Sequence, residues 1–188
     1  MSEFSAKLIA IFQNVNDWLK FAEAKNAALL ALSGTAMTAM LTVLVTAQNL
    51  PNALKIGLLI AVGLLNVCTL LCAVSFLPKV NLDKLLWLGN KPYKKLNPTS
   101  TDNLYYFGDL KKYNSIELLD SLNKYYFNNL ITSPYGKEVH DLAVQILINS
   151  NITSTKFYLF TYALYFLIGS IVCVPITVFS NLILNRGL

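Results

Sequence analysis

The chain has 188 residues, 55% of them hydrophobic and only 13% charged, with a formal net charge of +5. A soluble domain of this size carries about a quarter charged residues, so the apolar excess is larger than one buried core can use. No charged side chain falls between Lys25 and Lys55, between Lys55 and Lys79, or between Lys156 and Arg186. Each gap exceeds the roughly 20 residues a helix needs to cross a bilayer core of about 30 Å. A charge at mid-membrane costs roughly 2.5–3.5 kcal/mol, so three such gaps make a soluble all-α core the poorer reading.

Residues 4–22 place Phe4, Leu8, Ile11, Val15, Trp18 and Ala22 at intervals of three or four, one apolar helical stripe. No Pro or Gly separates the stripe from the uncharged stretch that follows, so helix is predicted from about residue 4 to 47. At 1.5 Å per residue that is a rod on the order of 65 Å. Its outer stripe must be buried on the central domain, the membrane surface or another subunit. Spans are expected at 27–47, 56–77 and 157–183. Asn49 and Pro51 turn the first span back on the second as a hairpin. Beyond Pro78, residues 82–90 read as an interfacial segment with Trp87 at headgroup depth, and the two prolines of KPYKKLNPTSTDN mark a loop. Asn114 with Glu117 predicts an N-cap launching SIELLDSLNKYYFNNL, whose apolar face is Leu119, Leu122, Tyr126 and Leu130. SPYG turns the chain into KEVHDLAVQILINS, with Val139, Leu142, Ile146 and Leu147 on one face. No strand pattern emerges.

The expected architecture is an all-α membrane protein. Residues 1–26 form a cytoplasmic amphipathic helix, 27–77 a transmembrane hairpin, 78–156 a cytoplasmic helical cap, and 157–188 a third span with a short external tail. The cap is marginal alone at its size, and docking residues 1–26 supplies apolar cover. Orientation follows from the basic residues. Thirteen lie in 1–26 and 78–156, against Lys55 and Arg186 on the other side, so the first group is expected in the cytosol. All ten acidic residues lie there too, leaving a surplus of only three positive charges. That favours a small anion or anionic lipid over DNA or RNA. The amphipathic, acid-bearing N-terminus does not read as a cleavable signal peptide.

Four stretches carry a resemblance: FAEAKNAALLALSG at the start of span one, FLP at the end of span two, NLYYFGDL in the cap, and HDLAVQILINSNITSTKF before span three. In this order they resemble the Pycsar effector transmembrane family and related membrane effectors of bacterial cyclic-nucleotide anti-phage systems. The motif positions are Glu23 and Lys25, then Asn103 with Phe107, Gly108 and Asp109, then Gln145 and Lys156. The resemblance implies a nucleotide second messenger sensed by the cytoplasmic part. It also implies homo-oligomeric assembly of the spans that breaches the inner membrane and stops growth. Some relatives have four spans, which leaves segment 82–90 either on or in the membrane.

Within that frame Tyr105, Tyr106 and Phe107 either stack on a base or pack the cap, packing being the commoner fate for two of the three. Asp109 either caps a helix start or is the polar handle of a site. Lys94, Lys95, Lys111 and Lys112 are the phosphate partners on offer, and lysine pairs are also ordinary solvated faces. Glu23, Lys25, Gln145 and Lys156 mark the cap–membrane junction, where Glu23 or Asp109 is placed to pair with Lys25 or Lys156, unless Glu23 and Lys25 form only a solvated turn. His140 beside Asp141 reads as a surface histidine, since neighbours on a helix face different ways.

In the spans, Gly34, Thr38, Thr42 and Thr46 repeat every four residues, a pattern of close helix packing within one subunit or of assembly. Asn66 is a candidate inter-helix clasp, and Gly169 and Pro175 are candidate bends in span three. Cys68 and Cys72 share a helix face, but without His or carboxylate they read as packing residues rather than a metal site. No metal or cofactor is expected. There is no glycine-rich phosphate loop and no nucleophile with a positioned base, so an enzyme is not expected. Spans free of ionisable groups argue equally against ion-coupled transport. The competing reading is a membrane scaffold or channel subunit that recruits a soluble partner without nucleotide gating.

Overall fold

The computed structural model describes residues 3–77, 97–132 and 134–185, and all regular structure among them is α-helical. Segment 82–90, with Trp87, and the lysines at 94 and 95 lie outside the described residues. Helix α1 runs Glu3–Thr46 and α2 runs Asn52–Ser75. A four-residue turn of helix, α3, covers Phe107–Leu110; α4 is Ser115–Tyr126 and α5 is Lys137–Asn185. The absence of Pro and Gly before Gly34 lets α1 run unbroken for 44 residues. Among the described residues, α1, α2 and α5 are long and apolar enough to cross a membrane, with peak mean hydropathies of 2.0, 2.4 and 2.1.

Two compact units share these helices: Met1–Ala22 with Pro78–Phe157, and Glu23–Leu77 with Tyr158–Leu188. In the first unit the N-terminal stripe is a core face. Phe4, Leu8, Ile11 and Val15 pack with Leu104, Leu110 and Tyr113, with Leu118, Leu119 and Leu122 of α4, and with Ala143, Ile146 and Leu147 of α5. Each fully buried leucine contributes about 1.5–3 kcal/mol of apolar transfer. Asn16 accepts a hydrogen bond from the Asn149 amide at 2.7 Å, a second tie between α1 and α5.

The start of α4 is set by a complete capping box. The Asn114 side chain accepts from the Glu117 amide at 2.8 Å, and the Glu117 carboxylate accepts from the Asn114 amide at 2.9 Å. Its end departs from the expectation. Helix stops at Tyr126, and Leu130 is 78% exposed instead of completing the apolar face. The cause is local: Asn128 and Asn129 adopt left-handed φ values of 49° and 61°, a conformation asparagine tolerates better than most residues. Asn123 then holds the returning chain, its amide donating to the Ile131 carbonyl at 2.8 Å and its oxygen accepting from the Ile131 amide at 3.1 Å. Tyr126 is likewise exposed, and the buried face is Leu118, Leu119 and Leu122.

In the second unit α1 and α2 run antiparallel around Pro51, and the Thr69 hydroxyl donates to the Ser33 hydroxyl at 3.1 Å between them. The core is Leu29 of α1, Leu65, Cys68 and Cys72 of α2, and Ala163 and Leu167 of α5. Both cysteines therefore serve as small packing groups. Where α2 meets α5, a side chain at Gly57 would overlap the Thr177 hydroxyl and touch the Val174 backbone. A methyl group at Gly169 would meet only Leu64, at an ordinary 3.6 Å, and α5 remains helical through Pro175.

Among the described residues, the Thr38–Thr46 part of the Gly34–Thr46 stripe is not a packing face of this subunit. Thr38, Thr42 and Thr46 are exposed, each donating its hydroxyl to the carbonyl one turn back at 2.8–2.9 Å, and nothing lies within 4 Å of a side chain added at Gly34. Asn66 is also exposed, away from the α2 face that carries Leu65, Cys68 and Cys72. Gly57→Leu is expected to cost about 1–3 kcal/mol through overpacking, read as a lower melting temperature in detergent. Gly34→Ala, with open space to fill, should leave that temperature equal or raised.

Candidate functional site

The NLYYFGDL segment is a closed turn built on its own polar side chains. The side-chain carbonyl oxygen of Asn103 accepts from the Tyr105 amide at 2.9 Å, an Asx turn. The Asp109 carboxylate reaches back from α3 to accept the Asn103 amide at 3.1 Å. Gly108 lets the Tyr106 ring fold over it, since a side chain there would overlap that ring. From α1, the Asn14 amide donates to the Tyr105 carbonyl at 2.6 Å and fastens the turn to the helix.

Behind the turn sits Lys112, which donates to Asp102 at 2.8 Å and to Asp109 at 2.6 Å. Asp102, with only 4% of its side chain exposed, also accepts from the Thr99 amide at 2.9 Å, the Thr99 hydroxyl at 2.7 Å and the Tyr113 hydroxyl at 3.2 Å. A carboxylate has about four lone-pair sites, so Asp102 is saturated. Burial pushes its carboxyl up, but the bonds from Lys112 and Thr99 outweigh that and hold it far below the usual carboxylate range. Hydrogen bonds to Asp102 and Asp109 raise the Lys112 ammonium. Burial first, then the Asp102 charge, pushes the Tyr113 hydroxyl up to about 12.

The three aromatics have different surroundings. Phe107 is buried, stacked on Phe157 at 5.2 Å between centroids and 9° between planes, with Trp18 at 5.7 Å. Tyr105 packs against the core, and the Lys7 ammonium lies 5.4 Å from its ring centre and 5.0 Å from that of Tyr126. Tyr106 is 44% exposed. Lys111 donates to the Ser154 hydroxyl at 3.1 Å. Lys156 is buried in the first unit, Glu23 is exposed, and Lys25 in the second unit lies 5.3 Å from the Phe160 ring centre. His140 shares a 3.0 Å hydrogen bond with Ser115 rather than addressing Asp141.

Gln145 lies elsewhere, in a groove of about 760 Å³ between α1 and the start of α5. Ile9, Phe12 and Leu142 give it apolar walls; Gln13 and Gln145 add carboxamides, and Lys137, Glu138 and Asp141 add charges. Sequence reasoning passes over Gln13, Lys137 and Glu138, and likewise Thr99, Asp102, Asn14 and Lys7. The Thr-Ser-Thr-Asp run before the turn is a legible side-chain capping signal; no local pattern brings Gln13 to Gln145.

The Pycsar effector protein domain matches residues 7–183, which takes in the first-unit helices and all three apolar ones. This chain belongs to the Pycsar effector transmembrane family. It is 31% identical over 147 residues, 78% of each chain, to the Pycsar effector protein RsPycTM of a Rhizobium species. No solved structure matches it. Membership makes it an anti-phage effector of cyclic-nucleotide defence, in a family not known as a class of enzymes.

The saturated carboxylate gives a stability test. Asp102→Asn is expected to cost about 1.5–3 kcal/mol at neutral pH, the value of hydrogen bonds to a charged group. Because folding depresses the Asp102 pKa, its contribution is complete above the unfolded value near 4 and is lost as pH falls below it. The melting-temperature gap between wild type and variant should therefore hold from about pH 5 to about pH 9 and narrow below about pH 4.

Proposed function

We propose that the protein is a ligand-gated membrane effector. The unit containing Met1–Ala22 and Pro78–Phe157 senses a nucleotide second messenger in the cytosol. The apolar helices then assemble with those of other copies and breach the inner membrane, causing growth arrest. The observation that carries this is the family match across residues 7–183, which takes in residues of both units. The basic residues support the orientation: the positive-inside bias puts residues 1–26 and 78–156 on the cytosolic side.

Assembly has physical support in the second unit. A polar side chain facing lipid near mid-membrane is costly, and Asn66 is exposed on α2 of the single copy. On the small, hydroxyl-bearing line that starts at the half-buried Gly34, Thr38, Thr42 and Thr46 are exposed too, and such lines let helices approach closely. A second copy would cover both. Gating needs only differential affinity, because a ligand shifts an equilibrium by no more than its preference for one state. A thousandfold shift takes about 4 kcal/mol, within reach of charge-assisted phosphate contacts and one stacked base.

Co-expression with the cognate nucleotide cyclase is expected to depolarise cells carrying a potential-sensitive dye, and expression alone should not. Equal depolarisation without the cyclase would remove the gating. Asn66→Leu, at unchanged membrane abundance, should weaken the depolarisation and shift native-gel mobility toward the monomer.

A further inference from the structure

The last residues that α1 and α5 contribute to the first unit are rich in aromatic side chains, and α3 adds one more. Phe157 lies 6.2 Å from Trp18 and 6.4 Å from Phe21 between ring centroids, and 5.2 Å from Phe107. Tyr106, just before α3, lies 4.7 Å from Phe107. None of these rings belongs to the core cluster built on Phe4, Leu8, Ile11 and Val15. The cluster is also open, since Trp18, Phe21 and Tyr106 are 37%, 46% and 44% exposed. Exposed apolar patches of this kind mark interaction sites. Tyr125 and Tyr126, the exposed rings of α4, differ, because each has a lysine ammonium 5.3 or 5.0 Å from its centre.

We infer that this patch is a membrane seat. Trp18, Phe21 and Tyr106 lie among the phospholipid headgroups of the bilayer that the apolar helices cross, and they hold the NLYYFGDL turn against its surface. The inference rests on the membrane-spanning part of the effector reading above.

Position along the chain names the occupant. The uncharged stretch 27–47 begins six residues after Phe21 and nine after Trp18, about 9 and 14 Å along α1. On α5, Phe157 itself opens the stretch 157–183, and the exposed Tyr158 follows it. The headgroup layer is about 5–8 Å thick on each side of the hydrocarbon core, so the two helices bracket it. Indole and phenol rings favour that depth, with the apolar body toward acyl chains and the polar tip in water. Lys20 is paired with Asp17 at 3.2 Å and Lys111 bonded to Ser154. The rings, rather than ammonium groups, therefore set the contact, and phosphatidylcholine suffices as the lipid.

The test is tryptophan fluorescence of the full-length protein in phosphatidylcholine vesicles whose acyl chains carry bromine near the headgroup, at carbons 6 and 7, or deep, at carbons 11 and 12. The chain has two tryptophans, so Trp87→Phe leaves Trp18 alone. On a Trp18→Phe, Trp87→Phe background, Tyr106→Trp, Leu32→Trp and Leu130→Trp each supply a single reporter. Leu32 is 56% exposed in the first uncharged stretch. Leu130 is bonded through its amide to Phe127, whose ring meets Phe4, about 21 Å back along α1 from Trp18. Trp18 and Tyr106→Trp are expected to lose about twofold more emission to the shallow bromine than to the deep one. Leu32→Trp should be quenched by both, and Leu130→Trp by neither.

Quenching of Leu32→Trp, with Trp18 and Tyr106→Trp no more quenched than Leu130→Trp, overturns the seat and leaves the spans standing. A Trp18 shielded from aqueous acrylamide yet untouched by either brominated lipid also overturns it, because protein then covers the patch. Leu32→Trp unquenched by either lipid overturns the seat and the membrane reading together. Should Tyr106→Trp fail to fold, Trp18 decides alone, since its measurement replaces nothing in the patch.

Discussion

A helix that carries an apolar stripe on its first turns must bury that stripe on something. Here the burden falls on Phe4, Leu8, Ile11 and Val15, and α4 and the first half of α5 meet it. Without them the remaining residues of the first unit would lack one wall of their core, and a chain segment of that size closes poorly on its own. The N-terminus is therefore part of the fold of the first unit, although the whole of α2 intervenes in sequence between it and the rest. The same helix continues, uninterrupted, into the apolar residues of the second unit.

The polar turn follows from a similar constraint. A loop lying on an apolar core has backbone groups that need partners, and buried groups left unmade cost about 1–3 kcal/mol each. Asn14, Asn103, Asp109 and the Thr99–Asp102 corner supply those partners. Lys112 neutralises the two carboxylates that this arrangement brings together. The crowding of aromatic, glycine and acidic residues in NLYYFGDL is thus chiefly the chemistry of closing a turn: Phe107 anchors it, Gly108 makes room for Tyr106, and Asp109 ties it back.

Much of the fold is legible in the sequence because it rests on periodicity and on charge gaps. The α1 stripe, the absence of breakers and the three uncharged stretches all act within one helix, and the capping box at Asn114 is a four-residue signal. What escapes is equally local but finer. Asn128 and Asn129 look like helix surface in the sequence, and only their left-handed backbone, with Asn123 clasping Ile131, stops α4 short of Leu130. The stripe of threonines fits a helix interface, and packing within the subunit is the commoner meaning of that pattern. Pattern gives the face and not its neighbour, and among the described residues of one copy the threonines of that face are exposed. The groove is illegible for a deeper reason. Gln13 and Gln145 line one surface only through the packing of α1 on α5, and no spacing along the chain announces a contact between positions so far apart.

Contacts along α1 and α5 matter most where the two helices leave the first unit. Both run on into apolar residues of the second unit, so a change in the depth or tilt of the first unit acts on two apolar helices together. Rings seated among headgroups resist such a change. Moving an indole or phenol out of that layer exposes its apolar body to water or takes its polar tip into hydrocarbon. A ligand shifts an equilibrium only by its preference for one state, and states that differ in seating differ in how much ring surface lipid covers. At about 25 cal/mol per Å², the roughly 4 kcal/mol of a thousandfold shift corresponds to about 160 Å², the size of one aromatic side chain. The core of the first unit need not rearrange for that. It has only to hold α1, α3 and α5 as one body, which is what a close-packed cluster of buried leucine, isoleucine and phenylalanine side chains provides.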